Sequence, residues 1–119
     1  WQGFYGEDFE STVDLGGIED IRYLNIGAIQ DVRSWIWLPK EVVFLGSLDG
    51  LKFKKICSLN HSIADNTSES VIKQFEQKLI NPFKARFVKV KAKNYGLCPT
   101  WHLGSGGTSW LFFDEITIY

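Results

Sequence analysis

Apolar and polar side chains alternate with a period of two in several short stretches, each closed by turn residues, and that is the pattern of half-buried β-strands. Phe9, Ser11, Val13 and Leu15 fall on one side and Glu10, Thr12 and Asp14 on the other, until Gly16-Gly17 stops the strand. Leu24, Ile26 and Ala28 form a second inward set. Val42 to Ser47 is broad and apolar and runs into Leu48-Asp49-Gly50, where Gly supplies the positive φ of a turn. A hairpin into Phe53 to Leu59 follows. After the polar segment His61 to Ser70, Val71 to Leu79 reads as a strand, although Val71, Phe75 and Leu79 also fit a helical stripe. The clearest alternation is Val88, Val90 and Ala92 against Lys89, Lys91 and Lys93, a core face backed by a solvated one. Trp110 to Tyr119 completes seven predicted strands, which imply an all-β fold of two packed antiparallel sheets, a sandwich or jelly roll.

Up-and-down strands place their connections alternately at two ends. One end collects residues 1 to 7, 30 to 38, 60 to 70 and 94 to 109; the other collects Gly16 to Asp20, Leu48 to Lys52 and Ile80 to Lys84. Nearly all the Trp, both His and most of the Gly-rich loop sequence belong to the first, so a binding site is expected there. The loop Asn94 to Gly107 is the richest part of that end, carrying Trp101 and His102 among glycines. It points to a binding protein.

Size and charge narrow the classes. At 119 residues the chain is expected to form one domain, spanning 1–119, able to bury a core without metal or disulfide. A net charge of −1 gives no global field for nucleic acid or an anionic membrane, and neither is expected as a partner. No apolar run reaches the roughly 18 to 20 residues of a membrane span, and Trp1-Gln2-Gly3-Phe4 lacks the features of a signal peptide. Cys57 and Cys98 have no metal-ligand spacing and read as unpaired, with one disulfide in an oxidising compartment as the alternative.

Several segments, taken in order, resemble the coagulation factor V/VIII type C (discoidin-like) domain and carbohydrate-binding module family 32. They are Trp1-Gln2-Gly3-Phe4 leading into Asp8-Phe9-Glu10 and Val13-Asp14-Leu15-Gly16; Ser34-Trp35-Ile36 with Pro39; Ser47-Leu48-Asp49-Gly50; Ala85-Arg86-Phe87-Val88; and Trp110-Leu111-Phe112 with Asp114-Glu115-Ile116. Trp101-His102 ahead of the Gly-rich turn looks most like modules at the C-terminus of Bacteroides chitobiases (β-hexosaminidases). The resemblance implies a discoidin-like, galactose-binding-domain-like jelly-roll β-sandwich. It also implies a secreted, periplasmic or cell-surface bacterial location, and a non-catalytic module that targets an appended glycoside hydrolase to terminal galactose or N-acetylhexosamine. The partners implied are glycan non-reducing ends and a catalytic domain of the same polypeptide. An N-terminal strand and an Asp-Gly loop that the family carries are not found ahead of Trp1. Family members use that loop with an acidic residue to hold a structural calcium; Glu115 matches the acidic position, but one carboxylate falls short of about six to eight oxygens. No other cofactor is implied.

A sugar site needs flat apolar surface for the C–H face of a pyranose and a few fixed polar groups for its hydroxyls. Trp1, Tyr95 and Trp101 are the candidate platforms, and Arg33, Asn60 and His102 the candidate polar groups. Packing competes with binding at each. Trp101 is as readily core as platform, His102 as readily bonded to its own loop, and Arg33 as readily paired with Asp31. Trp35, ahead of Ile36-Trp37-Leu38, is expected to staple its loop to the core, and Trp110 to begin a buried strand. An enzyme reading fails on the carboxylates: a glycosidase wants two facing each other about 5 to 10 Å apart. Asp114 and Glu115, adjacent on a strand, are expected on opposite faces. The alternative on the same fold is a discoidin-like domain for cell-surface, lipid or protein interaction. Membrane binding would need exposed apolar tips flanked by basic residues, and the Trp-rich end sets only Arg33, Lys40 and two His against Asp31, Asp65 and Glu69, so attraction to anionic lipid is weak.

Overall fold

The computed structural model describes residues 2–67, 69–96, 98, 101–102 and 106–119. Among the described residues six strands run in the order β1 (Gln2–Tyr5), β2 (Phe9–Gln30), β3 (Val42–Ser47), β4 (Lys54–Leu59), β5 (Val71–Ala92) and β6 (Trp110–Ile118), all pairing antiparallel in the spatial order β1-β6-β2-β5-β3-β4. Two of them hold two predicted strands each. Drawn straight at about 3.3 Å per residue, a 22-residue strand would run about 73 Å. The longest extent of the molecule is 47 Å, so β2 and β5 must fold back on themselves.

They do so together, as a paired ribbon. Register shifts between Asp14/Glu19 and between Ile21/Tyr23 insert extra residues into one strand and then the other, and such bulges bend a ribbon out of its sheet. The first halves of β2 and last of β5 join β3 and β4 in one layer, through the ladders Phe9↔Ala92 and Val42↔Ala92. The other halves join β6 and β1 in the second, through Leu24↔Gln77 and Leu24↔Ile118. The result is the expected jelly-roll sandwich. Its predicted turns at Gly16 to Asp20 and Ile80 to Lys84 are bulged corners through which strand pairing continues. Val71 to Leu79 is strand, its helical stripe overridden by the partner it finds in Tyr23 to Gln30.

Between the layers lies one apolar cluster: Leu24, Ile26 and Ala28 of β2, Val42 and Phe44 of β3, Phe75, Val88, Val90 and Ala92 of β5, and Leu111 and Phe113 of β6. The alternation around Lys89 and Lys91 holds, with Val88 and Val90 fully buried and Lys89 outside, 4.2 Å over the Phe53 ring. Both cysteines are free. No helix among the described residues is long and apolar enough to cross a membrane.

Candidate functional site

The expected convergence of loops at one end is present, and short polar contacts lock it. Asp8 accepts from the Asn94 N–H (2.8 Å), Asn94 Oδ1 accepts from the Gly96 N–H (2.8 Å), and the Ser109 hydroxyl sits between Asn94 Oδ1 and the Gly96 carbonyl. Backbone bonds from the Ser109 N–H to the Gly96 carbonyl (3.2 Å) and from the Cys98 N–H to the Gly107 carbonyl (2.8 Å) close the base of the Gly-rich loop. The 60s segment is tied in by Gln30, whose amide donates to the Ala64 carbonyl at 2.8 Å.

Trp37 is the hub. It is fully buried, its indole N–H donates to the Asp65 carbonyl (2.9 Å), Tyr95 stacks on it at 5.1 Å, and His102 and Trp101 meet it edge-on at 5.0 and 6.5 Å. Tyr95 in turn donates its hydroxyl to Asp65 Oδ2 (2.6 Å); burial and that carboxylate push its pKa up to about 12. One face and the hydroxyl of Tyr95 are therefore engaged inside the protein.

Trp35 departs from expectation. In an extended strand residues 35 and 37 share a face. Instead the chain makes a 3-10 turn at Val32–Ser34, and Trp35 takes a left-handed backbone (φ 62, ψ 31), which turns its ring out to 36% exposure. A non-glycine residue in that region costs roughly 1–2 kcal/mol. The conformation is held by a reciprocal Asp31–Ile36 backbone pair (2.9 and 3.0 Å) and by the Trp110 N–H donating to the Trp35 carbonyl at 2.7 Å. Trp37, not Trp35, staples the loop. Trp110 begins β6 half-buried, tilted against Tyr5 at 4.9 Å.

A shallow hollow of about 280 Å³ opens above this hub, lined by Val32, Arg33, Trp35, Trp101 and His102. Trp101 is 51% exposed, and the His102 ring is edge-on to Trp35 and to Trp101, 5.8 Å from each. His102 Nε2 lies 2.6 Å from the Val32 carbonyl, which can only accept, so this nitrogen carries the proton and ties the Gly-rich loop to the 3-10 turn. Arg33 is exposed on the rim and, among the described residues, makes no ion pair; Asp31 Oδ2 takes the Ser34 hydroxyl (3.2 Å) instead. Of the expected site residues, Arg33, Trp101 and His102 share the hollow, and Tyr95 supports it from behind through Trp37. Asn60 is exposed past the end of β4 and is not among its lining residues, and Trp1 lies outside the described residues.

The acidic pair also differs from expectation. Ile26 pairs with Ile116 but Ala28 with Phe113, so Asp114 and Glu115 together oppose Gly27 in a β-bulge. Gly27 makes room: an added Cβ would lie 2.4 Å from Asp114 Oδ2, and its N–H donates to Asp114 Oδ1 at 2.8 Å. Both carboxylates consequently border one hollow of about 400 Å³ on the outer sheet face, with Gln2, Asn25 and Thr117. They do not lie on opposite faces. No group of three or more His, Cys, Asp or Glu forms a metal cluster among the described residues, and one Asp114 oxygen is already spent on the backbone. The donors described around Glu115 do not make up a calcium shell.

The jelly-roll fold is shared with solved carbohydrate-binding modules of family 32. The CBM32-6 module of a Clostridium perfringens protein superposes with a TM-score of 0.55 at 19% identity, covering 98% of this chain and 75% of that one. CBM32-1 from a family 31 glycoside hydrolase of the same organism gives 0.52 at 18%, covering 94% and 75%. The C-terminal domain of a Bacteroides fragilis chitobiase gives 0.46 at 16%, covering 95% and 66%, too low a score to add to the fold assignment. No protein-family model matches the chain, and no curated protein matches it in sequence.

Proposed function

We propose that this chain is a non-catalytic carbohydrate-binding module that seats one terminal sugar ring between Trp35 and Trp101. The observation that carries the reading is the pairing of two part-exposed indoles with Arg33 and His102 around one small hollow. The indoles offer apolar faces to the C–H surface of a pyranose, and the Arg33 guanidinium offers a fork of donors to its hydroxyls. At about 280 Å³ the hollow lies just under the roughly 300–1,000 Å³ of drug-sized sites, which suits a single ring. Galactose or an N-acetylhexosamine is the ligand class. The likeness of fold to modules of glycoside hydrolases supports a role in holding an attached hydrolase, of chitobiase or β-hexosaminidase type, near its glycan outside the cell.

A shallow site contacting one ring is worth roughly −4 to −7 kcal/mol, or about millimolar to 10 μM, and attachment to a second binding domain would supply avidity. Calorimetric titration with galactose, N-acetylgalactosamine and N-acetylglucosamine tests the reading, beside a hydrolysis assay on a chromogenic hexosaminide. Saturable binding without turnover is expected. Turnover by stringently purified protein that is lost in Asp114→Asn or Glu115→Gln would replace the module with an enzyme. Sugar-independent capture by a protein or lipid surface would replace it with the discoidin-like interaction reading.

A further inference from the structure

At the opposite end of the sandwich the β3–β4 turn faces the β5 corner across a larger hollow, about 570 Å³, lined by Leu48, Asp49, Lys52, Lys54, Pro82, Phe83 and Lys84 among others. Its floor is fixed. The Phe83 ring lies directly on Gly46, where an added Cβ would be 2.5 Å from Phe83 Cε1, so glycine is what lets the ring settle there. Its charge is one-sided. The segments 14–22, 48–55 and 78–86 that meet at this end carry seven Lys and Arg against four Asp and Glu, leaving six against ten elsewhere in the chain.

Most of those carboxylates are already engaged. Asp49 accepts from the Leu51 and Lys52 N–H groups (2.8 and 3.0 Å) and from the Ser47 hydroxyl (2.9 Å), which holds it below its usual pKa. Asp14 is paired with Arg86 (2.9 Å) and Asp20 with Lys84, at a loose 3.9 Å. The Lys52 and Lys54 ammoniums make no ion pair among the described residues. Three exposed cations around an apolar, ring-floored hollow are complementary to an anion carried on a flat-faced body.

We propose that this hollow is a second ligand site, for a sugar residue bearing an anionic substituent such as a sulfate ester. The ring face lies on Phe83, Pro82 and Leu48, and the oxyanion falls among Lys52, Lys54 and Lys84. The site is separate from the tryptophan-lined hollow and does not depend on it. A concave seat with the Asp49 carboxylate in its lining suits a ring better than a flat bilayer, although the exposed Leu51 and Ile80, close to it in the chain, make a membrane the rival to be tested.

NMR titration of the intact chain with N-acetylglucosamine 6-sulfate, N-acetylglucosamine and inorganic sulfate separates the outcomes. The Trp101→Ala variant serves to silence the other hollow. The sulfated sugar is expected to shift residues 46–54 and 82–84, bind about tenfold or more tighter there than either other probe, and weaken with added salt. Lys52→Gln/Lys54→Gln/Lys84→Gln should lose that preference with an unchanged far-UV circular dichroism spectrum, since all three side chains are exposed. Equal binding of inorganic sulfate would overturn the saccharide. Shifts unaffected by the triple variant would overturn the site. Capture on phosphatidylglycerol vesicles with no response to the sulfated sugar would assign this end to lipid.

Discussion

Replacing Trp37 and Trp101 by Ala, one at a time, separates the ring that builds the site from the ring that displays it. Trp37 is fully buried, with Tyr95, Trp101 and His102 around it and its N–H on the Asp65 carbonyl. Truncating such a residue costs about 3–5 kcal/mol, a large fraction of the roughly 5–15 kcal/mol that holds a domain folded. For a chain of this size that is about 10–25 °C in melting temperature. Trp101 is 51% exposed, so about half of an aromatic side chain's roughly 200 Å² is covered. At about 25 cal/mol per Å² the ceiling on its loss is about 2.5 kcal/mol. Urea unfolding of both variants, read as midpoint shifts at constant slope, gives the comparison. Trp101→Ala should cost less than Trp37→Ala, at most about 2.5 against about 3–5 kcal/mol. Equal losses would mean that the Trp101 indole is core, and a small loss for Trp37→Ala would remove the hub on which the hollow rests.

Other consequences follow from groups away from the hollow. Burial and the nearby Lys73 hold the His61 pKa below its ordinary value, with Nδ1 accepting from the Ile63 N–H at 3.1 Å and Phe75 edge-on. The unfolded chain therefore takes up this proton first as pH falls, so stability should drop from about pH 6.5 downward until the folded form also protonates. His61→Gln should flatten that stretch of the stability–pH curve; an unchanged slope would put its cause elsewhere. Both free thiols are pushed up in pKa, chiefly by burial. A disulfide-exchange reagent at pH 8 should therefore react slowly with native protein and release two thiols promptly in denaturant. Prompt release of both from native protein would contradict the packing described.

Much of the architecture was legible because periodicity reports which face of a strand is wet. Val88, Val90 and Ala92 announced the core face of β5 by alternating with lysines, and Asp49-Gly50 announced the β3–β4 turn. The grouping of loops at one end followed from the same count, even though Gly16-Gly17 and the Ile80 region proved to be bulged corners. A bulge and a chain reversal draw on similar residues, and only strand pairing separates them.

Two features of the site were not legible, both for backbone reasons. Trp35 and Trp37 have the same spacing as two residues on one strand face, and nothing in Ser34-Trp35-Ile36 marks the left-handed turn that sends one ring out and the other in. Asp114 and Glu115 obey strict alternation in the sequence. The extra residue opposite Gly27 is set by a partner strand some 90 positions away. His102 kept both of its readings open in sequence, and its bond to the Val32 carbonyl shows that it holds its own loop.

The indole N–H resonances of Trp35, Trp37 and Trp101, followed by NMR as galactose and N-acetylhexosamines are added, address the central claim directly. Trp35 and Trp101 should shift together and saturate between about 10 μM and a few millimolar. Trp37, buried and bonded to Asp65, should move far less. Indoles that stay still through molar sugar, or a saturable response confined to another face, would contradict a sugar seat at this end of the sandwich.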